Sequence, residues 1–552
     1  MSKLSRILSV LLAVLLLASV FAGCGSGSAS SKAPEKSSGT ASEKPTEAPA
    51  AEPTAEPEPE AGAPYTFPLA ETRDISIWKV FTNILATQIG SDDEVKTYIA
   101  LEKKLNIDLQ FSNAADGAEA FNIMLAGGDY CDLIDAQPIQ QYFNGTFDDA
   151  VTQDILTPLN DYLDTCMPDY KATVHSNEVW ETVSITPEGR YPCVYNLVRA
   201  DAPVTVGLCI RQDYLDELQM ETPVTYDDLY DTLKAMNAAK GSTLWVSSKG
   251  TMFGQSMSGG FGVCSFEQGA NTTMFYLKDG EKVAYSPLED GYFKYLTYMH
   301  RLFSEGLVWD GYLGNVNDQS PQIEDILSSG LGVFICGVTS FPTYALQSNE
   351  ENFRMVALAP PVENEGDTFH FSTIMSTNTP GWAISADCDD PELAACFLNY
   401  FYTEEGNIIA NYGLEGETFE YVDGKPVLTD LVLANPNMIY FIANMVYIGS
   451  APCVSDWTKQ TTKYDADQNA AGDIWGYDSS WLIPKYVALS EDESDMYNYA
   501  DIQTYVQESS LKFMTGEMSL EKDYDGFIET IKDMGIDNCI AAWQSAVDRY
   551  AK

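Results

Sequence analysis

Between positions 75 and 136 short apolar runs alternate with stretches of helical spacing, and few folds accept a chain patterned this way. ISIWKVF (75–81) reads as a strand and 92–105 as a helix. IDLQF (107–111), a helix over 116–126 and DLIDA (132–136) follow. This β-α-β-α-β order predicts an α/β sheet whose ligand chemistry lies beyond the carboxyl ends of its strands. Helix signals continue downstream. Thr225 to Asp228 reads as a capping box opening TYDDLYDTLKAMN, with each side chain bonding the other's backbone N–H. Asp390-Pro391 places an N-cap before a proline at the first helical position. Leu393, Cys396, Phe397, Tyr400 and Phe401 then keep helical spacing, and Gly406 is expected to end that helix. Ile540, Trp543, Val547 and Tyr550 make a last apolar face.

The N-terminus reads differently. Lys3 and Arg6 precede an apolar run over 7–20, and Ala22 and Gly23 lead to Cys24. That is the anatomy of a secretory signal, and the run is short for a membrane span. VFAGC resembles a lipobox with Phe21 where Leu is usual, so Cys24 is expected to become the lipid-modified first residue. Residues 25–64 are Ser, Ala, Pro, Glu and Gly without an aromatic ring. Such a segment buries too little apolar surface to offset the entropy of ordering it. As a flexible coil it would span roughly 35 Å. The body from 65 onward exceeds what one simple core usually takes, so two lobes are expected. Net charge is −50, and loss of Lys3 and Arg6 with the signal makes it two units more negative. Nucleic-acid binding is excluded, because phosphate contacts need a basic surface.

Motifs for catalysis are missing. There is no phosphate-binding G-x-x-x-x-G-K-[ST], and Gly254-Gln-Ser256-Met-Ser258 lacks the second glycine of a nucleophile elbow. His175, His300 and His370 form no H-E-x-x-H. Beyond Cys24 ten cysteines remain, none in a C-x-x-C pair, and several sit in apolar runs as small core residues. Export permits disulfides, but spacing cannot pair them. Asp465-Ala-Asp467-Gln-Asn469 begins like a calcium loop, yet Ala470 and Gly476 stand where glycine and glutamate belong. No metal or cofactor is expected.

Five segments together carry a resemblance. They are VGLCIRQDYLDELQMETPVTYDDLYDTLKAM (206–236), SEGLVWDGYL (304–313) with SSGLGVFICGV (328–338), PGWAISADCDDPELAACFLNYFYTEEGNIIANYGLEGETFEYVDGKP (380–426) and TYVQESSLKFMTGEMSLEKDYDGFIETIKDMGID (504–537). The body resembles family 1 extracellular solute-binding proteins of ABC importers, in the long lipoprotein branch of the maltose-binding-protein superfamily. The resemblance implies a two-lobe periplasmic-binding-protein-like α/β fold with hinge crossings and a central cleft. It implies a signal peptide over 1–23, a tether over 24–64, one lobe from 65–200 plus 380–432 and another from 201–379 plus 433–552. Crossings are expected near 195–207, 372–384 and 430–440. Some relatives carry a metal loop after the 225–237 helix, whereas this chain has NAAKGSTLW.

A sugar ring offers an apolar face to aromatics and hydroxyls to polar side chains. On that basis the ligand-binding candidates are Trp78, Asp135, Gln137, Tyr195, Asn196, Trp245, Thr339, Phe341 and Trp382, each at a predicted strand end or crossing. The expected function is capture of a small solute, an oligosaccharide first, for a membrane permease, by a protein held at the outer face of the cytoplasmic membrane through Cys24. The alternatives are a surface-anchored glycoside hydrolase and a binder of peptides or other non-sugar solutes.

Overall fold

The computed structural model describes residues 63–81, 89–114, 117–199, 202, 204–246, 256–264, 274–313, 326–327, 330–371, 378–433, 452–476, 478–484 and 486–551. All belong to one compact unit, 61–552. The signal and tether readings, Cys24 included, lie outside the described residues. In chain order the strands are β1 (Arg73–Val80), β2 (Ile107–Ala114), β3 (Leu133–Asp135), β4 (Leu156–Thr157), β5 (Tyr195–Val198), β6 (Val206–Arg211), β7 (Thr243–Leu244), β8 (Phe275–Lys278), β9 (Lys282–Tyr285), β10 (Leu331–Gly337), β11 (Met355–Ala357), β12 (Thr379–Pro380), β13 (Trp382–Ser385), β14 (Phe419–Val422), β15 (Lys425–Leu428) and β16 (Cys453–Ser455).

Two lobes carry separate cores. The first has a sheet of order β2-β1-β3-β13-β4. Its β1, β2 and β3 are parallel, as the alternation predicts, with helices Lys96–Leu105 and Gly117–Gly127 between them. β13 returns antiparallel beside β3. Its hydrophobic cluster runs from Leu69 to Leu197, resumes from Trp382 to Ala410, and includes Cys453. The second lobe has a sheet of order β11-β6-β10-β7 and a cluster running from Val204 to Phe371 and from Ala471 to Ala546. Cys453 therefore packs with the first lobe, although the resemblance put 433–552 with the second.

The caps form where the sequence predicts them. Thr225 and Asp228 make a reciprocal capping box on helix Tyr226–Lys240, and Asp390 accepts from the Leu393 N–H. The expectation for Gly406 fails. The first helix stops at Tyr400, and a second, Glu404–Tyr412, starts from a Thr403 cap with Gly406 inside it. A Cβ at Gly406 would overlap the Tyr400 carbonyl, so the glycine permits a tight helix-to-helix turn rather than ending a helix.

A third sheet joins the lobes. β5 lies at its centre, antiparallel to β12 and parallel to β16. β5 leads from the first cluster towards the second, and β12 leads back. The expected third crossing at 430–440 falls mostly on 434–440, outside the described residues. The strand that joins the other two is Cys453–Ser455. Its outer edge is sealed by side chains. Asn407 Oδ1 accepts from the Val454 N–H (2.9 Å), and Asn411 Nδ2 donates to the Val454 carbonyl (2.9 Å). Asn407 and Asn411 stand one turn apart on helix Glu404–Tyr412, so both reach the same stretch of backbone.

One close approach governs the second sheet. The Trp475 Nε1–H donates to the Leu208 carbonyl at 2.7 Å, which lays the indole over Gly207 in β6. A Cβ at Gly207 would sit 2.5 Å from the ring. Gly207→Ala is therefore expected to destabilise the protein by about 1–3 kcal/mol through overpacking, seen as a lower urea midpoint with an unchanged slope.

Candidate functional site

The crossing sheet and the facing lobe surfaces form the candidate site. On β5 the Asn196 Oδ1 accepts from Ser455 Oγ at 2.7 Å. Just past β16, Asp456 accepts from the Thr458 N–H (3.0 Å), Thr458 Oγ1 (2.6 Å) and Tyr412 Oη (2.8 Å). Burial pushes the Asp456 carboxyl up, but the bonds from Thr458 and Tyr412 outweigh it and hold the group below its usual range. Asn411 Oδ1 accepts from the Asp456 N–H at 2.8 Å and from the buried Lys459 Nζ at 3.2 Å. Trp457 sits between those two charged residues. Its ring is half-buried, and among the described residues it belongs to none of the three hydrophobic clusters and its buried Nε1–H has no hydrogen-bond partner.

The lobes also meet around a cavity of about 180 Å³. Gln140, Tyr142 and Asn144 line it from the first lobe, and Leu489, Ser494 and Tyr497 from the second. Helix Gln137–Tyr142 carries the first wall and packs on β12. Tyr486 packs against both clusters and lies 5.9 Å, ring to ring, from Tyr550.

Several aromatic candidates are corrected by this arrangement. Trp382 is 0% exposed, ringed by Tyr98, Phe397 and Phe401. Trp78 is 7% exposed and packs on Phe121. Trp245 and Phe341 are buried in the second cluster, Phe341 edge-on to Trp475. Tyr195 is buried on β5 and packs in the first cluster. For Trp78 and Trp382, on the first sheet, the physical reason is shared. Strands covered by helices on both faces bury side chains on both faces, so a ring near a strand end points into a lobe.

The polar candidates fare differently. Asp135 closes β3 and is buried. It accepts from the Gln137 N–H at 3.1 Å and faces the buried Lys79, whose ammonium lies 2.8 Å from Asp92. Burial pushes Lys79 down, but Tyr98 and the carboxylates outweigh it and raise it above its usual range. Gln137 is half-buried at the start of its helix, and Asn196 lies in the crossing sheet. Thr339 is exposed just beyond β10. The structure brings Trp78, Asp135 and Trp382 onto adjacent strands of the first sheet, while Trp245, Thr339 and Phe341 lie in the second lobe. Asn407, Asn411, Tyr412, Asp456, Trp457 and Lys459 escaped the sequence reading. The one legible signal was the i, i+4 asparagine pair.

Other expectations resolve locally. Asp465 caps helix Ala466–Trp475 and Asp467 pairs with Arg354 at 2.9 Å, so both carboxylates serve the fold. After helix Tyr226–Lys240 the chain turns at Gly241 in a left-handed C-cap and enters β7 at Thr243. All ten body cysteines are free thiols, eight of them buried. Burial pushes the Cys388 and Cys396 thiols up to about 12, and a thiol so raised is a poor nucleophile. Among the described residues no helix is long and apolar enough to cross a membrane.

Comparison with known proteins gives consistent relatives. The profile of the bacterial extracellular solute-binding proteins matches residues 88–408. Lipoprotein LipO of Bacillus subtilis (strain 168) is 22% identical, over 83% of this chain and 89% of its own length. The fructooligosaccharide ABC transporter substrate-binding protein FusA of Streptococcus pneumoniae serotype 4 is 21% identical, over 88% of this chain and 92% of its own. Among solved structures, the alginate-binding protein AlgQ2 without calcium ion superposes with a TM-score of 0.69 at 20% identity. That match covers 88% of this chain and 99% of AlgQ2. At such identity the structural likeness speaks for the fold alone.

The charge buried beside the crossing sheet makes stability depend on pH. Burial pushes Lys459 down to about 8 from 10.5, despite the opposing pull of Cys453 and Asp456. Between those values the unfolded chain binds more protons than the folded one, so stability rises with pH across that window. Below it both states are charged, and the folded state carries the whole cost of burial. Lys459→Met is expected to lose this dependence. Urea unfolding at about pH 7 and about pH 10 checks it: wild type should gain on the variant as pH rises, and a constant difference would remove the Lys459 charge from the balance.

Proposed function

The chain belongs to the bacterial extracellular solute-binding proteins, and from that premise we propose that it captures an oligosaccharide between its lobes and delivers it to the membrane permease of an ABC importer. The observation that carries this reading is the architecture itself. Two separate cores are joined through a sheet of crossing strands, and such a body closes on a ligand by hinge motion. The sugar class is supported by the relative whose name carries it, FusA for fructooligosaccharide.

In this reading the ligand meets the polar ends of the candidate set. Gln137, Asn196 and Thr339 supply hydrogen bonds, and the half-buried Trp457 ring supplies a stacking face at the crossing. The protein binds without turnover, since no nucleophile, metal or cofactor motif is present in the sequence. Cys24 carries lipid and holds the body outside the cytoplasmic membrane.

A melting-temperature screen against a glycan panel tests the ligand class, because a solute that binds only the native state raises the midpoint. Mass spectrometry of the best ligand after incubation should return it intact, whereas steady protein-dependent cleavage would favour a hydrolase. Trp457→Ala is expected to weaken binding by roughly 1–3 kcal/mol with little change in unfolding. Trp382→Ala should do the reverse, costing about 3–5 kcal/mol of stability while its folded fraction binds normally. Equal affinity in the Trp457 variant would remove that ring from the site. Separately, Cys24→Ser should abolish lipid labelling and release the protein from the membrane fraction. Unchanged fractionation would end the anchoring assignment.

A further inference from the structure

A groove of about 460 Å³ lies in the second lobe, with walls from the two sides of one helix junction. Helix Asp290–Ser304 presents Phe293, Thr297 and Arg301 at i, i+4 and i+8, with Lys294 and Tyr298 beside them. Opposite stand Tyr226, Asp227, Phe261 and Glu363. The floor is aromatic. Phe261 stacks on Tyr226 at 3.9 Å with 7° between the planes, and Tyr298 lies 4.9 Å from Tyr226. Both phenols bond inward, Tyr298 to the Tyr226 carbonyl and Tyr226 to the Met257 carbonyl. Their polar ends are thus used, and their rings act as apolar surface. Phe261 and Phe293 are only partly buried, and Phe293 lies outside the buried cluster, edge-on to Tyr524 at 4.9 Å.

The rim is charged but balanced. Lys294 bonds Glu363 at 2.8 and 3.0 Å, and Arg301 lies 3.6 Å from Asp227. All four side chains are at least one third exposed, from 34% for Glu363 to 91% for Asp227. Exposed pairs of this kind contribute little to stability. They do offer donors and acceptors side by side with no net charge, on a protein whose overall charge is −50. An anion gains nothing from such a rim, and a cation meets Lys294 and Arg301. A neutral ring with one apolar face and a hydroxylated edge matches both floor and rim. The volume lies within the range for small-molecule sites, roughly 300–1,000 Å³.

We propose that this groove is a second, weaker glycan site that holds one or two neutral sugar residues apart from the interlobe ligand. The proposal rests on the oligosaccharide reading of the interlobe site. Phe261 and Phe293 stack on the sugar, while Arg301, Lys294, Asp227 and Glu363 exchange part of their mutual bonding for hydroxyls.

The test is calorimetric titration of the full chain with neutral fructan, glucan and mannan oligosaccharides of two to eight residues. It is run on wild type, Thr297→Trp and Phe293→Ser. Thr297 is exposed, so its replacement fills the groove without entering the core. Wild type should show two sites for its best glycan, the weaker one lost in Thr297→Trp and weakened at least tenfold in Phe293→Ser, with the tighter one unchanged in both. A single site untouched by either variant overturns the groove and leaves the interlobe reading standing. A weaker site unaffected by both variants overturns the groove as well, because that site then lies elsewhere. No binding by any glycan of the panel overturns both readings.

Discussion

Two lobes become one receptor through four residues of β5, whose backbone is bonded on one side by β12 and on the other by β16. A strand at the centre of a sheet has its N–H and C=O groups satisfied along its length, whereas the outer strand must find partners elsewhere. Here Asn407 and Asn411 provide them for β16, and Asn411 also holds the Asp456 N–H and the Lys459 ammonium. Backbone geometry, a buried charge and the path into the second lobe are thus tied to one asparagine. The Asn196–Ser455 bond fixes β5 to β16 through side chains as well.

Away from that sheet each lobe is held mainly by apolar packing, and some of its buried charges sit in bonded sets. Lys79, Asp92 and Asn113 form such a set at the end of β1. Asn113 Nδ2 donates to Asp92 at 2.6 Å while its Oδ1 accepts from the Asp92 N–H at 2.9 Å. A buried pair of this quality costs desolvation on both sides and breaks expensively if one member is lost. Its place beside Asp135, where the chain enters helix Gln137–Tyr142, puts stiffness under the wall that faces the second lobe.

Much of the fold was legible because its signals are local. The parallel strands β1, β2 and β3 follow from alternating runs, and the caps at Thr225 and Asp390 follow from side chains that bond their own helix. Family 1 solute-binding blocks supplied what local patterns lack, namely the expectation of two lobes joined by crossing strands. The site was much less legible. A tryptophan at a strand end looks the same in sequence whether it meets a ligand or Phe397, and for Trp382 the core won because helices cover both faces of its sheet. Trp457 gave no periodic signal, since it follows a three-residue strand and opens a seven-residue 3-10 helix. Gly406 misled for a related reason: a glycine marks a helix end in sequence, while here it marks a place where backbone meets backbone.

The interleaving of the lobes has a consequence for how the molecule comes to exist. β3 waits for β13, which is made some two hundred and fifty residues later, and the core around β6 waits for Trp475 and the final helix, Ile536–Tyr550. The first core cannot close until Trp382 to Cys453 has arrived, and the second not until the final helix has. Contacts between such distant segments must first overcome loop-closure entropy and form slowly. A polypeptide emerging N-terminus first is therefore kept open by its own topology until those distant segments arrive.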